Sequence, residues 1–195
     1  MNAAAIRVPY LDPQADALLA AASMPRKALL LDRDGVINVN HGYVHTPDRT
    51  EWSPGIFELV AHAHRHKRLV IVVTNQAGIG RGYYSEEAFL AYTAWMHAQF
   101  AQRGTPLLAT FWCPHHPDAG VGDYRVACDC RKPQPGMLRA AAARFELDMQ
   151  ASWMIGDKPS DLEAAAAAGV DQRWLLTQAH GLADITRTLA TMADA

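Results

Sequence analysis

Carboxylate and hydroxyl side chains stand directly after short apolar runs of this sequence. Asp32 and Asp34 come after one such run and Thr74 after the next, and Asp157 follows a later run. Carboxylate oxygens such as those of Asp32 and Asp157 are the ligands that Mg²⁺ prefers. The Thr74 hydroxyl could bind phosphate oxygens, and Lys132 could neutralise charge that develops in a transition state. These residue types together favour phosphoryl transfer.

The three cysteines form a second chemical group with one histidine. The sequence reads Cys113-x-His115 and then, after a loop, Cys128-x-Cys130. Three sulfurs and one imidazole complete a tetrahedral zinc site without an open position for a catalytic water, which favours a structural role. The loop is rich in Pro, Gly and Asp, so a metal cross-link would replace the apolar packing that it lacks. The alternative ligand is His116.

The apolar runs predict strands that alternate with helices. We expect strands over residues 28–31, 69–73, 107–112, 153–155 and 173–176. We expect helices over residues 56–66, 85–103, 137–145, 160–168 and 182–192. Strands that are apolar throughout and are separated by helices indicate a mostly parallel sheet covered on both faces. The sequence therefore predicts a doubly wound α/β fold, in which ligands bind beyond the carboxyl ends of the strands.

The length of 195 residues suits one domain. We assign residues 27–195 to it and residues 1–26 to an N-terminal extension with one short helix over residues 16–23. Two long irregular segments, 38–54 and 114–135, interrupt the pattern. Loops of that length in a compact domain are usually functional.

The composition excludes several classes of protein. Hydrophobic residues make up 50% of the chain and charged residues 19%, which excludes a disordered chain. A formal net charge of −2 provides no broad field for nucleic acid or an anionic membrane. No apolar run approaches the roughly 20 residues of a membrane span, and no secretory signal is recognisable. We expect a cytoplasmic monomer that binds a small molecule, and neither nucleic acid nor a membrane.

Four ordered motifs resemble those of the haloacid dehalogenase superfamily of phosphatases. They are Asp-Arg-Asp-Gly-Val-Ile from Asp32, Thr-Asn-Gln from Thr74, Arg-Lys-Pro from Arg131 and Gly-Asp-Lys-Pro-Ser-Asp from Gly156. Longer strings include His-Gly-Tyr-Val-His from His41 and Cys-Asp-Cys-Arg-Lys-Pro from Cys128. In these strings the chain most resembles the D-glycero-D-manno-heptose-1,7-bisphosphate 7-phosphatase family, and more distantly the histidinol-phosphate phosphatases. The resemblance covers residues 28–177.

The resemblance implies catalytic roles for four residues. Asp32 would be the nucleophile that takes the phosphoryl group as an aspartyl phosphate. Asp34 would be the general acid for the leaving alkoxide and then the general base for water. Thr74 and Lys132 would stabilise the phosphoryl group.

Two metal ions are also implied by the resemblance. Mg²⁺ would be held by the Asp32 carboxylate, the Asp34 backbone carbonyl and Asp157, with Asp161 as a supporting partner behind them. The zinc pattern recurs in the family and favours His115 over the neighbouring histidine. The implied cofactors are therefore a catalytic Mg²⁺ and a structural Zn²⁺.

Substrate binding is implied for residues around the motifs, namely Asn40, His41, Gly42, Tyr43, Asn75, Gln76, Arg81, Arg131 and Lys158. Asn40 departs from the Asp that usually begins its loop, so a charge is lost there. Arg81 could reach the distal phosphate of a bisphosphate, because a guanidinium matches phosphate geometry. The alternative for Arg81 is a surface position in its Gly-flanked loop.

The implied activity is removal of the C7 phosphate of a heptose 1,7-bisphosphate, in the supply of nucleotide-activated heptose for lipopolysaccharide. The alternatives are a histidinol-phosphate phosphatase or another small phosphomonoesterase, and a non-catalytic sugar-phosphate-binding module. A polynucleotide phosphatase is disfavoured by the near-neutral charge. No insert is long enough for a cap domain, so we expect a capless fold whose zinc-binding loop walls the site.

Two further groups of residues are expected to be structural. His62, His64 and His66 alternate along the end of a predicted helix, a spacing that distributes them around the axis. We therefore expect a solvated basic helix end. Trp95 and Met96 have helical spacing with nearby aromatic residues and are expected to pack in the core.

Overall fold

A computed structural model of the chain describes residues 7–193. Within them, the strands are β1 (Tyr10–Leu11), β2 (Lys27–Leu31), β3 (Arg68–Asn75), β4 (Ala109–Cys113), β5 (Trp153–Gly156) and β6 (Gln172–Leu175). They form one sheet in the order β1-β4-β3-β2-β5-β6. β1 is antiparallel to β4, and every other neighbouring pair is parallel. The predicted mostly parallel sheet is confirmed.

The helices of the described residues are α1 (Ala15–Ala21), α2 (Ile56–Arg65), α3 (Ala77–Gly80), α4 (Glu86–Gln102), α5 (Gly136–Phe145), α6 (Pro159–Ala167) and α7 (Leu182–Ala193). Single 3₁₀ turns occur at Pro47–Arg49 and Gly122–Tyr124, inside the two long irregular segments. α4 begins after Ser85, whose hydroxyl accepts the Ala88 N–H. The five longer helices expected from the sequence are confirmed, each within one residue at either end.

Alternate strand residues build two separate apolar layers. Leu29 and Leu31 of β2 pack on one face with residues of α2, α4 and α7. Leu30 of β2 and Ile71 of β3 pack on the opposite face with residues of α1, α5 and α6. Because successive strand residues point to opposite faces, an uninterrupted apolar run is what a sheet covered on both sides requires. The doubly wound α/β architecture is confirmed.

The N-terminal segment joins this sheet through a buried polar contact. The Asp12 carboxylate lies 2.9 Å from Nδ1 of His97 on α4, and Nε2 of His97 lies 2.9 Å from the Thr110 hydroxyl on β4. Burial lowers the pKa of His97. Burial opposes ionisation of Asp12, but the hydrogen bonds with His97 and the Gln14 N–H, together with the charge of His97, outweigh burial and lower the pKa of Asp12. Part of the segment assigned from the sequence to an extension thus supplies an edge strand and a helix; residues 1–6 lie outside the described residues.

The prediction that the histidines at the end of α2 are solvated is wrong. His62 is buried, and its ring centroid lies 4.4 Å from that of His66, one helical turn away. The His62 ring also stacks near Trp153 of β5, while Nε2 of His64 lies 2.9 Å from the Pro106 carbonyl oxygen. His62 therefore lies against the sheet, and His66, four positions on, packs beside it. The core position of Met96 is confirmed.

The described part of the chain has no helix that is both long and apolar enough to cross a bilayer.

Asp12→Ala should destabilise the fold, because it leaves His97 without its buried acceptor. An unsatisfied buried donor costs about 1–3 kcal/mol, and we expect the free energy of unfolding in urea to fall by that amount. Asp16→Ala, at an exposed position of α1, is the control and should change this free energy by less than about 0.5 kcal/mol. Equal effects of the two substitutions would contradict a structural role for the Asp12–His97 contact.

Candidate active site

The carboxyl ends of β2, β3 and β5 bring the predicted acidic and hydroxyl residues to one edge of the sheet. Asp32 directly follows β2, Thr74 is the second-to-last residue of β3 and Asp157 directly follows β5. β2 pairs with β3 on one side and with β5 on the other, so the direction of winding changes here. A crevice suited to ligands opens above such a switch point.

A buried lysine connects the elements around this crevice. Lys132 is 3% exposed, and its Nζ donates to Asp32 Oδ1 at 2.8 Å and to the Val73 carbonyl at 2.7 Å. The same Nζ lies 2.6 Å from Asp161 Oδ1. Burial alone would lower the pKa of Lys132, but the charges of Asp32 and Asp161 outweigh burial and raise it. Lys132 is therefore a fixed cation beside Asp32.

Asn75 holds the Lys132 backbone in place. Its Nδ2 donates to the Lys132 carbonyl oxygen at 3.0 Å, and its Oδ1 accepts the Lys132 N–H at 3.0 Å. Both polar groups of the Asn75 side chain are thus used to fasten the loop after the cysteines to the end of β3. This contact sets the direction from which Lys132 enters the crevice.

Three carboxylates gather around one point of the crevice. Asp32, Asp157 and Asp161 can each offer an oxygen within 4.8 Å of the others. Asp161 is already engaged, because its second oxygen accepts the Lys158 backbone N–H at 3.0 Å. Oδ1 of Asp157 is buried and has no hydrogen-bond partner. Burial and the charges of Asp32 and Asp161 raise the pKa of Asp157 to about 6, although Lys158 opposes this. This donor set fits a hard divalent cation.

Asp34 is surrounded by hydrogen-bond donors. The fully buried Arg33 donates through Nη2 to both carboxylate oxygens, at 2.9 and 2.7 Å. Asn38 donates to Oδ1 at 3.2 Å, and Gln76 donates to Oδ2 at 3.0 Å. The side chain retains 17% exposure toward the crevice. Asp34 is thus a partly exposed acid whose orientation is fixed from behind.

A cavity of about 480 Å³ opens above these groups, a size that suits a small-molecule ligand. Most of the substrate-binding residues predicted from the sequence line it, together with Asp32, Asp34 and Lys132. They are Asn40, Gly42, Tyr43, Asn75, Gln76, Arg131 and Lys158.

Two predicted substrate-binding residues are not among the lining residues. The imidazole of His41 is exposed and lies 2.9 Å from the Glu51 carboxylate. Arg81 is half-buried, and its Nε has no hydrogen-bond partner. Partial burial lowers the pKa of His116, and so do the positive charges of Arg131 and, to a smaller extent, Arg81. Both guanidinium groups therefore lie near the same imidazole beside the cysteine loop.

The cysteines converge with one histidine, as their spacing predicts. The ligand atoms of Cys113, His115, Cys128 and Cys130 all lie within 4.8 Å of one another. Nδ1 of His115 is 3.3 Å from the Cys130 sulfur, and Cys113 and Cys128 sulfurs are 3.5 Å apart. Hydrogen bonds with Cys113 and Cys130 lower the pKa of Cys128. This cluster is suited to one metal ion.

His116 has a different environment. Its Nδ1 accepts the Ala119 N–H at 3.1 Å within a turn, and it is not part of the cluster. Arg131 follows the last cysteine, and its Nη1 donates to the His115 carbonyl at 3.1 Å. The cysteine loop therefore directs Arg131 and Lys132 toward the cavity.

Sequence reasoning missed three residues of the site. Arg33 supports Asp34, and Tyr84 and Ser160 line the cavity. The sequence did contain a sign of the role of Arg33, because a cationic side chain between Asp32 and Asp34, just beyond a buried strand, requires an anionic partner. The position of Tyr84 depends on how the segment after α3 folds back, which residue spacing does not reveal.

The family model described as HAD-hydrolase-like matches residues 129–194 of the chain. The D-glycero-beta-D-manno-heptose-1,7-bisphosphate 7-phosphatase of Vibrio cholerae is 44% identical over 169 residues, which cover 87% of this chain and 91% of that protein. The D-glycero-alpha-D-manno-heptose-1,7-bisphosphate 7-phosphatase of Burkholderia mallei is 49% identical over 153 residues, covering 78% of this chain and 81% of that protein.

A solved structure is similar in both fold and sequence. It is the D,D-heptose 1,7-bisphosphate phosphatase of B. bronchiseptica in complex with magnesium and phosphate. The TM-score is 0.73 and the sequence identity is 34%, over 85% of this chain and 99% of that chain.

Gly35→Ala should destabilise the protein more than Gly42→Ala. Both glycines have positive φ, 97° and 75°, so a side chain strains either backbone by about 1–2 kcal/mol. A Cβ at Gly35 would also lie 2.3 Å from Asp157 Oδ2, whereas a Cβ at Gly42 would contact nothing within 4 Å. Urea unfolding of both variants measures the difference; equal losses would show that the Asp157 carboxylate moves aside freely.

Proposed function

Because the chain belongs to the family of D-glycero-D-manno-heptose-1,7-bisphosphate 7-phosphatases, which are HAD-like hydrolases, we propose that it removes the C7 phosphate of this heptose bisphosphate. The reaction proceeds through an aspartyl phosphate on Asp32. It serves the supply of nucleotide-activated heptose for lipopolysaccharide. The cytoplasmic location and the monomeric state stay predictions from the sequence.

The observation that carries this proposal is the contact between Asp32 and Lys132. The buried ammonium of Lys132 donates to Asp32 Oδ1 at 2.8 Å and orients the carboxylate that would attack phosphorus. It also places a positive charge where the phosphoryl group would approach. Asp34, two residues along the chain, supplies a second carboxylate on the cavity wall.

Mg²⁺ is the cation that this donor set fits best, since its ligands are oxygens and one of them, Asp157 Oδ1, is buried without a partner. Asp32, the backbone carbonyl of Asp34 and Asp157 would hold the ion, and Asp161 would support them through Lys132 and the Lys158 N–H. When bound, Mg²⁺ supplies positive charge that reduces the repulsion between the phosphate and Asp32.

The first step transfers the phosphoryl group to the protein. An Asp32 oxygen forms a bond to phosphorus while the bond from phosphorus to the C7 oxygen breaks. Asp34 donates its proton to the departing oxygen, because an alkoxide is a poor leaving group. Thr74 and Lys132 donate hydrogen bonds to the phosphoryl oxygens and stabilise the charge that develops there.

The second step releases inorganic phosphate. Asp34, now ionised, removes a proton from a water molecule, and the water oxygen bonds to phosphorus. The bond between phosphorus and Asp32 breaks, which regenerates the nucleophile. Two carboxylates at this spacing divide the work between nucleophilic attack and proton transfer.

The rest of the substrate lies toward the mouth of the cavity. Asn40, Gly42 and Tyr43 form one wall, and Arg131 and Lys158 provide cations around the opening. We assign the distal phosphate to Arg131, with Arg81 near it as a second guanidinium. His41, paired with Glu51, would act on the substrate through the shape of its loop.

The cysteine cluster holds a structural Zn²⁺ in this proposal. The four ligands leave no position for water; Cys113 ends β4, and the other three lie in a loop that has few apolar side chains. Zinc would fix the loop that carries Arg131 and Lys132, so its loss should disturb substrate binding as well as stability.

Asp32→Asn should abolish release of phosphate from the heptose bisphosphate, lowering kcat by about 10³-fold or more, because the amide cannot form the covalent intermediate. Both anomers should be assayed, since the similar Vibrio and Burkholderia enzymes are named for different anomers. Asp171→Asn, exposed at the amino end of β6, is the control and should retain full activity.

The same assay separates the proposed substrate from its alternatives. Histidinol phosphate should be cleaved with a much lower kcat/KM than the heptose bisphosphate. A preference for histidinol phosphate would reject the substrate, and equal rates for wild type and Asp32→Asn would reject the mechanism. Ligand binding without any turnover would favour a binding module.

His115→Ala should remove the bound zinc, whereas His116→Ala should retain about one zinc ion per chain, because only His115 lies in the cluster. Zinc content measured by atomic emission, together with the thermal midpoint, distinguishes the two neighbours. A His115→Ala protein with unchanged zinc content and midpoint would contradict the assigned ligand set.

A further inference from the structure

The side-chain amide of Gln76 connects three groups at the floor of the cavity. Gln76 is 2% exposed. Its Nε2 donates to Asp34 Oδ2 at 3.0 Å and to the Thr74 hydroxyl oxygen at 2.8 Å. Its Oε1 accepts a hydrogen bond from the Tyr84 hydroxyl at 2.7 Å. Every polar atom of this buried amide is therefore used.

These contacts allow one orientation of the amide. In the ionised state, in which it would act as the base for water, Asp34 only accepts hydrogen bonds, so the NH₂ group of Gln76 faces Asp34 and the carbonyl faces Tyr84. The second Gln76 N–H occupies a lone pair of the Thr74 oxygen. The Thr74 hydroxyl proton is not used in this contact.

Tyr84 is built into its position. A Cβ atom on residue 78 would lie only 2.3 Å from Cε1 of the Tyr84 ring. Gly78 has no Cβ and so leaves room for the ring. The ring also stacks on His45, with centroids 4.4 Å apart. Burial raises the pKa of Tyr84 to about 12, so its phenol stays protonated near neutral pH and can donate to Gln76.

Gln76 belongs to a different segment of the chain from the other hydrogen-bond partners of Asp34. Arg33 and Asn38 belong to the same loop as Asp34 and would move with it. Gln76 follows β3, the strand that carries Thr74. Its amide therefore directly links Asp34 to Thr74, the residue to which the proposed function assigns a hydrogen bond with the phosphoryl group.

We propose that Tyr84 is a positioning residue, whose hydroxyl fixes the Gln76 amide and through it sets Asp34 relative to Thr74. This inference rests on the proposed function, in which Asp34 protonates the leaving oxygen. Tyr84 itself touches neither reacting atom in that role. Its effect should be largest for substrates that need a proton on the leaving group.

Tyr84→Phe tests this directly, because it removes one hydroxyl and keeps the ring against Gly78. Tyr92→Phe is the matched control, since it removes a buried hydroxyl that bonds Thr50 and no residue of the site. Two substrates are compared: the heptose bisphosphate, whose leaving group is an alkoxide, and nitrophenyl phosphate, whose leaving group departs without a proton. The quantity measured is kcat/KM, which reports the transfer to Asp32.

We expect Tyr84→Phe to lower kcat/KM about 10-fold more for the bisphosphate than for nitrophenyl phosphate, as partial loss of general acid catalysis would do. Gln76→Leu, which removes the same link at its centre, should show the same selectivity. Tyr92→Phe should leave both values within about twofold of the wild type. Thermal unfolding of each variant confirms that it is folded.

Equal losses on both substrates, or a Tyr84→Phe enzyme no different from Tyr92→Phe, would overturn the inference. Failure of the proposed function has a separate signature: the wild type would cleave nitrophenyl phosphate but not the bisphosphate. The variants would then be compared on another alkyl phosphate that the wild type cleaves, and the same ratio of kcat/KM values would decide the role of Tyr84.

Discussion

The site depends on one buried ammonium group. Lys132 has its charge almost fully removed from water, and such a charge is tolerated only with close anionic partners. Asp32 after β2 and Asp161 on α6 are these anions, and the neutral Val73 carbonyl on β3 accepts a further hydrogen bond. Because the partners come from three different elements, the lysine fixes the relative positions of these elements. Loss of both carboxylates would leave an uncompensated charge in the interior.

The need to deliver this lysine accounts for much of the irregular structure. Lys132 comes from a long loop, so the loop must be held firmly at both ends. Asn75 fastens its backbone to β3, and the cluster of three cysteines and His115 ties the preceding residues together. The loop that carries Lys132 is thus held at both ends and forms part of the cavity wall. This also explains how the described residues, which include no cap domain, can surround a small substrate.

The sequence predicted the parts of the structure that depend on local pattern. Apolar runs located β2 to β5, because central parallel strands are buried on both faces, and strand ends located Asp32, Thr74 and Asp157. β1 was missed because two residues, Tyr10 and Leu11, carry no periodicity. The burial of His62 and the contact of Tyr84 with Gln76 depend on tertiary packing between segments. The spacing of residues along the sequence does not reveal such contacts.

The distribution of charge within the crevice shows why the net charge of the chain says little about its chemistry. Asp32 and Asp161 share the ammonium of Lys132, and Asp161 also accepts a backbone N–H. Asp157 has only the more exposed Lys158, 3.9 Å away, and one of its oxygens is unpaired. The uncompensated negative charge is therefore concentrated at Asp157, on the β5 side of the nucleophile. A phosphate dianion would be repelled there until a cation binds, so metal binding and substrate binding should depend on each other.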